Sequence, residues 1–404
     1  MEKIRTAIDV KKAMDEGPEK LQCIGNCKQI YLEWKSETFG GGFEEEEDEF
    51  LNKIEKLKDE LKGNYFHKFD LDEEYEIKIN ETQTSNKIKN EMLEELYLSA
   101  VDSPYGDNKK LETVVDKDVR DAKEIKNIQV DPKLILKIEQ EWSNHLYPVK
   151  VKVIPYKVNL YNSDGHFDEH LDTPEKDLVG TALVSLWDEN NKNNSYLKLK
   201  DIQRERYENW SPDESSCIMF YSDCPHEVKS RYAWENKKDI RATLAFKVYS
   251  INEESNIDDF KINKVIKELE NFDLKNKGFI LEHGYSLETK ALKGGDSILV
   301  SALEKMGHSL TLLPIMYNFT LESFHQDDDY YDCKVFPLRD IDIDYLLDLK
   351  PEKLTNYKDV EFYILDGKHY LWKDERQDFC EYTGNESQAE NQNSIYISRA
   401  LIIN

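Results

Sequence analysis

The chain has 404 residues, with 82 acidic against 55 basic side chains and a net charge of −27. That length allows two or three domains with cores of their own, and so acidic a surface repels a phosphate backbone, which argues against nucleic acid as a partner. Six cysteines are too few for a disulfide scaffold, no apolar run reaches bilayer length, and the opening residues lack a signal-peptide core; the expectation is an intracellular protein of cytoplasm or nucleus, without a membrane partner.

Residues 1–115 read as a mixed helical and β region packing on a barrel. LQCIGNCKQIYLEW is strand-like, and Cys23 and Cys27 in it are small packing residues, since no second pair follows at metal-finger spacing. The acidic run after GGGF opens an amphipathic helix with Leu51, Ile54, Leu57 and Leu61 on one stripe and Gly63 as its stop. EEYEIKIN alternates as a strand, and Lys87–Leu98 reads as a helix with Ile88, Met92, Leu93 and Leu96 inward. DSPYGDNKKLETVVD is turn-rich; an ordinary surface loop is the simpler reading, with Tyr105 and Gly106 as lid candidates.

Residues 116–252 form the central domain. DPKLILKIEQEWSNHL is a helix with Asp131 as N-cap, Pro132 at its first position and a Leu134, Ile138, Trp142 repeat for packing on a sheet. His145 at its end suits the helix dipole. VKVKVIPYKVNLY then alternates into YNSDGHFDEHLDTP. GTALVSL, SYLKLK, SCIMFY and RATLAFKVY follow at intervals too short for helical crossovers, so the sheet is antiparallel, in the jelly-roll manner. Within this stretch His170, Asp172 and the distant His226 match the two-histidine, one-carboxylate set that holds Fe(II) by one face. Alternation along a strand can set residues 170 and 172 on one inner face.

These motifs resemble the Fe(II)/2-oxoglutarate-dependent dioxygenases, and among them the prolyl 4-hydroxylase-like branch. Tyr161 stands nine residues before His170, Gly165 and Phe167 fall where the branch has a glycine and an aromatic, and DTP, YSDCPHEV and RATLAF complete the match. The resemblance implies a double-stranded β-helix with flanking helices, an α+β fold overall. It implies His170, Asp172 and His226 as metal and catalytic ligands, and 2-oxoglutarate as cosubstrate, held by Arg241, Tyr161 and Thr243. Ascorbate is a candidate auxiliary reductant. The implied reaction hydroxylates a C–H bond, of a prolyl or other protein side chain, and releases succinate and CO₂. Two departures bear on the cosubstrate pocket. Arg241 follows His226 by 15 residues, more than the family's usual gap, which keeps Lys229 and Arg231 as lesser anchors. NNKNNS replaces a Gly-Gly.

Residues 255–404 read as an α/β domain without an assigned role. Gly294-Gly295-Asp296 opens a helix there, with Asp296 as a plain N-cap in preference to a phosphate loop. A second His-x-Asp, His325 and Asp327 with His369 beyond, lacks supporting residues and reads as an acidic loop. Two rival functions stay open: a non-catalytic barrel that recruits protein partners, and a zinc peptidase through His166-x-x-Glu169-His170, which needs a helix that Gly165 and Pro174 disfavour. Oligomeric state is not legible.

Overall fold

The computed structural model describes residues 24–28, 45–107, 112–173, 175–188, 195–201, 204, 206–212, 215–230, 240–251, 260–285, 291–323, 329–337, 360–365 and 393–404. The chain divides into two compact units, Gly63–Asn256 with Thr289–Gly294, and Met1–Lys62 with Ile257–Glu288 and Gly295–Asn404. This differs from the three consecutive segments expected.

The first unit is built on two antiparallel sheets. The larger has seven strands, in the order Phe66–Asp70, Ser216–Tyr221, Leu178–Leu186, Arg241–Ser250, Val151–Tyr161, Lys123–Ile125 and Val101–Asp102. The smaller has five: Arg206–Trp210, Ser195–Asp201, His226–Ser230, His166–His170 and Arg120–Asp121. One hydrophobic cluster draws from both, including Leu160, Leu183, Ile218 and Phe246 from the first and Leu197, Trp210 and Val228 from the second. Because strand side chains alternate, the strands between the layers carry one row into this core and another outward.

The helix Pro132–His145 covers the outer row. Asp131 caps it by accepting from the Lys133 N–H at 2.9 Å, with proline in the first turn. Leu134, Ile138 and Trp142, the three residues of the expected stripe, are fully buried, each stabilising by about 1.5–3 kcal/mol. Trp142 meets Tyr221 edge-on at 5.6 Å and lies so close to the sheet that a Cβ on Gly180 would stand 2.5 Å from its ring and 2.3 Å from the Phe220 carbonyl. Gly180→Ala is therefore expected to destabilise this unit by about 1–3 kcal/mol through overpacking, read as a lowered melting temperature.

The second unit departs from the α/β reading. Six strands close a barrel in the order Gly25–Cys27, Asp329–Pro337, Leu310–Ser323, Asn393–Ile403, Lys277–Ile280 and Val360–Ile364. Its strand at residues 25–27 runs parallel to Val360–Ile364, so Cys27 is a buried barrel residue; Cys23 lies outside the described residues. The helices Glu45–Leu61 and Phe260–Leu269 belong to the same unit, where Lys264 pairs with Glu60 at 3.4 Å. No helix among the described residues is long and apolar enough to cross a membrane.

Candidate functional site

The site forms where the two sheets of the first unit face each other. His170 and His226 sit directly opposite one another on adjacent antiparallel strands, with ring centroids 4.1 Å apart. A register irregularity between Phe167 and His170 re-aims the strand at this point, as bulges do beside active sites. Each imidazole is anchored through Nδ1, to the Asp168 carbonyl at 2.7 Å and the Cys224 carbonyl at 2.9 Å. That bond fixes the ring and leaves Nε2 with its lone pair, the arrangement a metal-binding histidine needs.

Asp172 is placed by its backbone and its side chain together. Its N–H donates to the Ser222 carbonyl at 3.0 Å, and Oδ2 accepts from the Thr181 hydroxyl at 2.7 Å. Oδ1 is then left 3.9 Å from His226 Nε2. Among the described residues, the ligand atoms of His170, Asp172 and His226 do not all lie within 4.8 Å of one another, so the three donors stand apart as placed. The turn between Asp172's acceptor and His226 is braced from below, where buried Lys293 donates to Asp223 at 2.8 Å and to Ser222 at 3.2 Å. Burial and the neighbouring His226 hold His170 well below the usual imidazole range, so it is neutral, as a ligand must be.

Arg241 opens the last long strand and pairs with Tyr161 across the ladder; Thr243 pairs with Asn159 on one side and Ser185 on the other. Arg241 and Thr243 are buried, as is Tyr161, and two-residue alternation puts Arg241 and Thr243 on one face. The guanidinium stands 5.3 Å from the Tyr161 ring centroid, yet among the described residues its buried Nε and Nη1 have no hydrogen-bond partner. Burial pushes its pKa down to about 10. An unpaired buried guanidinium costs several kcal/mol, and a bidentate anion is the partner its fork matches.

Other expected residues lie elsewhere. Lys229 is half-exposed and pairs with Glu227 at 2.9 Å, while Arg231, Pro174, the NNKNN of residues 190–194, His325, Asp327 and His369 fall outside the described residues. His166 and Glu169 lie on a strand, not a helix, and Glu169 is exposed; on an extended strand two histidines four residues apart share a face but stand roughly 13 Å apart, too far to bind one ion, which argues against the peptidase reading. Asp296 lies inside the first turn of the helix Gly294–Lys305, not at its N-cap. Its carboxylate accepts from the Glu282 and His283 N–H groups and the Tyr285 hydroxyl, which leaves no phosphate loop. Tyr105 and Gly106 form one strand of a two-stranded hairpin, with Tyr105 6.4 Å from the Phe167 ring.

Two features escaped the sequence reading. Arg120 lies over the Phe167 ring at 4.4 Å and Lys157 binds Glu124 at 2.7 Å; both are buried. Desolvation, with Arg120 adding repulsion, brings Lys157 down to about 8. The advance signal for Lys157 was polar residues at alternate positions, Lys157 and Asn159, in the buried run 157–161 of its strand; Arg120 had none. The second feature is a set of donors outside the site, His67, Glu141 and His145, with ligand atoms within 4.8 Å of one another. Its imidazoles stack at 3.6 Å and 15°, so their lone pairs run parallel instead of converging, and Lys137 already pairs with Glu141 at 3.0 Å. This set reads as an ion-pair cluster at a helix end.

No protein-family model and no curated protein matches the chain. Among solved structures, it is similar to a Pseudomonas putida prolyl-4-hydroxylase at 12% identity, over 49% of this chain and 100% of that one, with a TM-score of 0.28. A Trichoplax adhaerens prolyl hydroxylase in complex with a hypoxia inducible factor peptide fragment matches at 15% identity, 50% and 92% coverage and a TM-score of 0.30. The epimerase SnoN in complex with Fe3+ and alpha ketoglutarate matches at 11%, 50% and 84%, and 0.27. Likenesses this distant carry no argument about chemistry, which rests on the residues.

Thr181 supplies a graded test of the ligand set. Thr181→Val keeps the shape but frees Asp172 Oδ2, and outer-shell losses of this kind weaken metal affinity about 10- to 100-fold. Fe(II) titration of the variant checks it, and unchanged affinity counts against Asp172 as a ligand.

Proposed function

We propose that the first unit is an Fe(II)- and 2-oxoglutarate-dependent dioxygenase on a double-stranded β-helix, in which His170, Asp172 and His226 hold the metal. The observation that carries this reading is the orphaned guanidinium of Arg241. It is buried beside Tyr161, with Nε and Nη1 unpartnered among the described residues. The cosubstrate needs a metal for its keto-acid end and a fork for its far carboxylate, and His170, Asp172 and His226 are candidates for the first and Arg241 for the second.

Bound iron and 2-oxoglutarate supply the oxidising chemistry, in which oxygen is consumed, a C–H bond is hydroxylated, and succinate and CO₂ are released. The chain's own residues do the rest. Arg241 and Tyr161 orient the cosubstrate's far carboxylate, and Thr243 adds a hydroxyl on the same face. Thr181 and the two backbone carbonyls orient the ligands. Phe167, stacked on His170 at 3.5 Å, shields that imidazole from water. A protein side chain is the substrate this reading favours, with proline suggested by the motif resemblance.

The test is conversion of 2-oxoglutarate to succinate by the purified chain, dependent on Fe(II) and abolished by chelator. A protein that binds Fe(II) but forms no succinate, with or without candidate protein substrates, is a non-catalytic barrel instead.

A further inference from the structure

The same interior buries a second guanidinium that the function above does not use. Arg120 is 6% exposed. Its Nη1 donates to the Pro104 carbonyl at 2.7 Å and its Nη2 to Asn159 Oδ1 at 3.2 Å, while the buried Nε has no partner. The charged group lies 4.4 Å above the Phe167 ring, whose ring in turn stacks on His170 at 3.5 Å. Arg120 is thus one aromatic ring away from a candidate metal ligand, and its acceptor Asn159 stands two residues from Tyr161 on the same strand.

Among the described residues, Arg120 contacts only neutral groups. Among the described residues it forms no ion pair. The buried carboxylate on the neighbouring strand, Glu124, is occupied by Lys157 at 2.7 Å, Lys126 at 3.1 Å and Ser103 at 3.3 Å. Two neutral acceptors and a cation–π contact offset only part of the desolvation of a guanidinium. If tying Pro104 to Asn159 were the whole role, a neutral donor would serve at lower cost. In a chain of net charge −27, a buried cation without an anionic partner among the described residues is a functional-site candidate.

We propose that Arg120 receives a carboxylate of the primary substrate, so that the site selects acidic substrates. The carboxylate is that of an Asp or Glu side chain near the hydroxylated position, or the free carboxylate of a chain end or small acid. The inference rests on the function proposed above, which assigns the cosubstrate's far carboxylate to Arg241 and leaves Arg120 for the second anion.

Arginine Nε–H resonances report on both groups directly, because buried N–H groups exchange slowly enough to be seen. The experiment uses the full chain, ¹⁵N-labelled and loaded with Zn(II) as a diamagnetic stand-in for iron; Arg120→Lys and Arg241→Lys assign the two signals by deletion. 2-Oxoglutarate is expected to shift the Arg241 signal downfield and leave Arg120 in place. Sodium acetate, added at saturating 2-oxoglutarate, is then expected to shift Arg120, whereas acetamide does not. Aspartate N-acetyl α-amide and N-acetylglycine in place of acetate distinguish a side-chain from a terminal carboxylate by which acts at the lower concentration. An Arg120 signal unmoved by acetate, or moved equally by acetamide, overturns the proposal, as does one that moves with 2-oxoglutarate alone. If Arg120 responds to acetate while Arg241 ignores 2-oxoglutarate, the carboxylate site stands and the cosubstrate anchor of the proposed function fails.

Discussion

With leucine in place of arginine at position 241, the ligand-free protein is expected to melt at a higher temperature than wild type and to lose its stabilisation by 2-oxoglutarate. Both effects follow from one observation, the buried Nε and Nη1 without partners. In the ligand-free chain the guanidinium is desolvated and unpaired, and replacing such buried charge by a well-packed apolar side chain gains about 1–4 kcal/mol. For a unit of this size that is a rise of about 2–4 °C per kcal/mol. With ligand, the sign reverses. Losing one partner of a desolvated charge pair costs about 2–5 kcal/mol, tens- to thousands-fold in cosubstrate affinity. Arg241→Lys falls between, since it keeps the charge and loses the two-pronged fork. Thermal melts with and without Zn(II) and 2-oxoglutarate check both signs, because a ligand that binds only the folded state raises the melting point with its concentration. A variant that is less stable and still responds to 2-oxoglutarate makes Arg241 a structural residue.

The second large effect is expected at the ligands. His170→Ala and Asp172→Ala should each reduce succinate formation to the metal-free background while the protein stays folded. Three donors leave no spare, so one deletion is enough to lose the ion. The fold survives because neither side chain is a core residue; Asp172 is 24% exposed and His170 is half-buried. The folding cost is that of the Thr181 hydroxyl losing its acceptor, about 1 kcal/mol. Circular dichroism beside the turnover assay separates loss of site from loss of fold. Turnover that persists in either variant points to different ligands.

How much of this was legible in the sequence depends on how local the physics is. The N-cap at Asp131 and the buried stripe of Leu134, Ile138 and Trp142 were readable because capping and helical periodicity act over a few residues. The long strand ending at Tyr161 and the one starting at Arg241 were readable from alternation, and their pairing follows from two long apolar runs in one sheet. The closed barrel of the second unit was not. Its strand at Gly25–Cys27 is three residues long and pairs with Val360–Ile364, and contact over such a separation leaves no local pattern. Arg120 was missed for a related reason. It sits on a two-residue strand, and its meaning comes from Pro104, Asn159 and Phe167, none adjacent to it in sequence. His145 was read as a helix-end residue, and its stacking on His67 was invisible because His67 comes from a strand 78 positions earlier.

The claim on which the rest depends is that one metal ion is held by His170, Asp172 and His226 and not by the other donor set of this unit. Anaerobic Fe(II) titration of three proteins decides it: wild type, His226→Ala and His67→Ala. The expected result is one tight equivalent per chain in wild type and in His67→Ala, and none in His226→Ala. A tight equivalent that survives His226→Ala and disappears in His67→Ala would place the metal at His67, Glu141 and His145 and contradict the account.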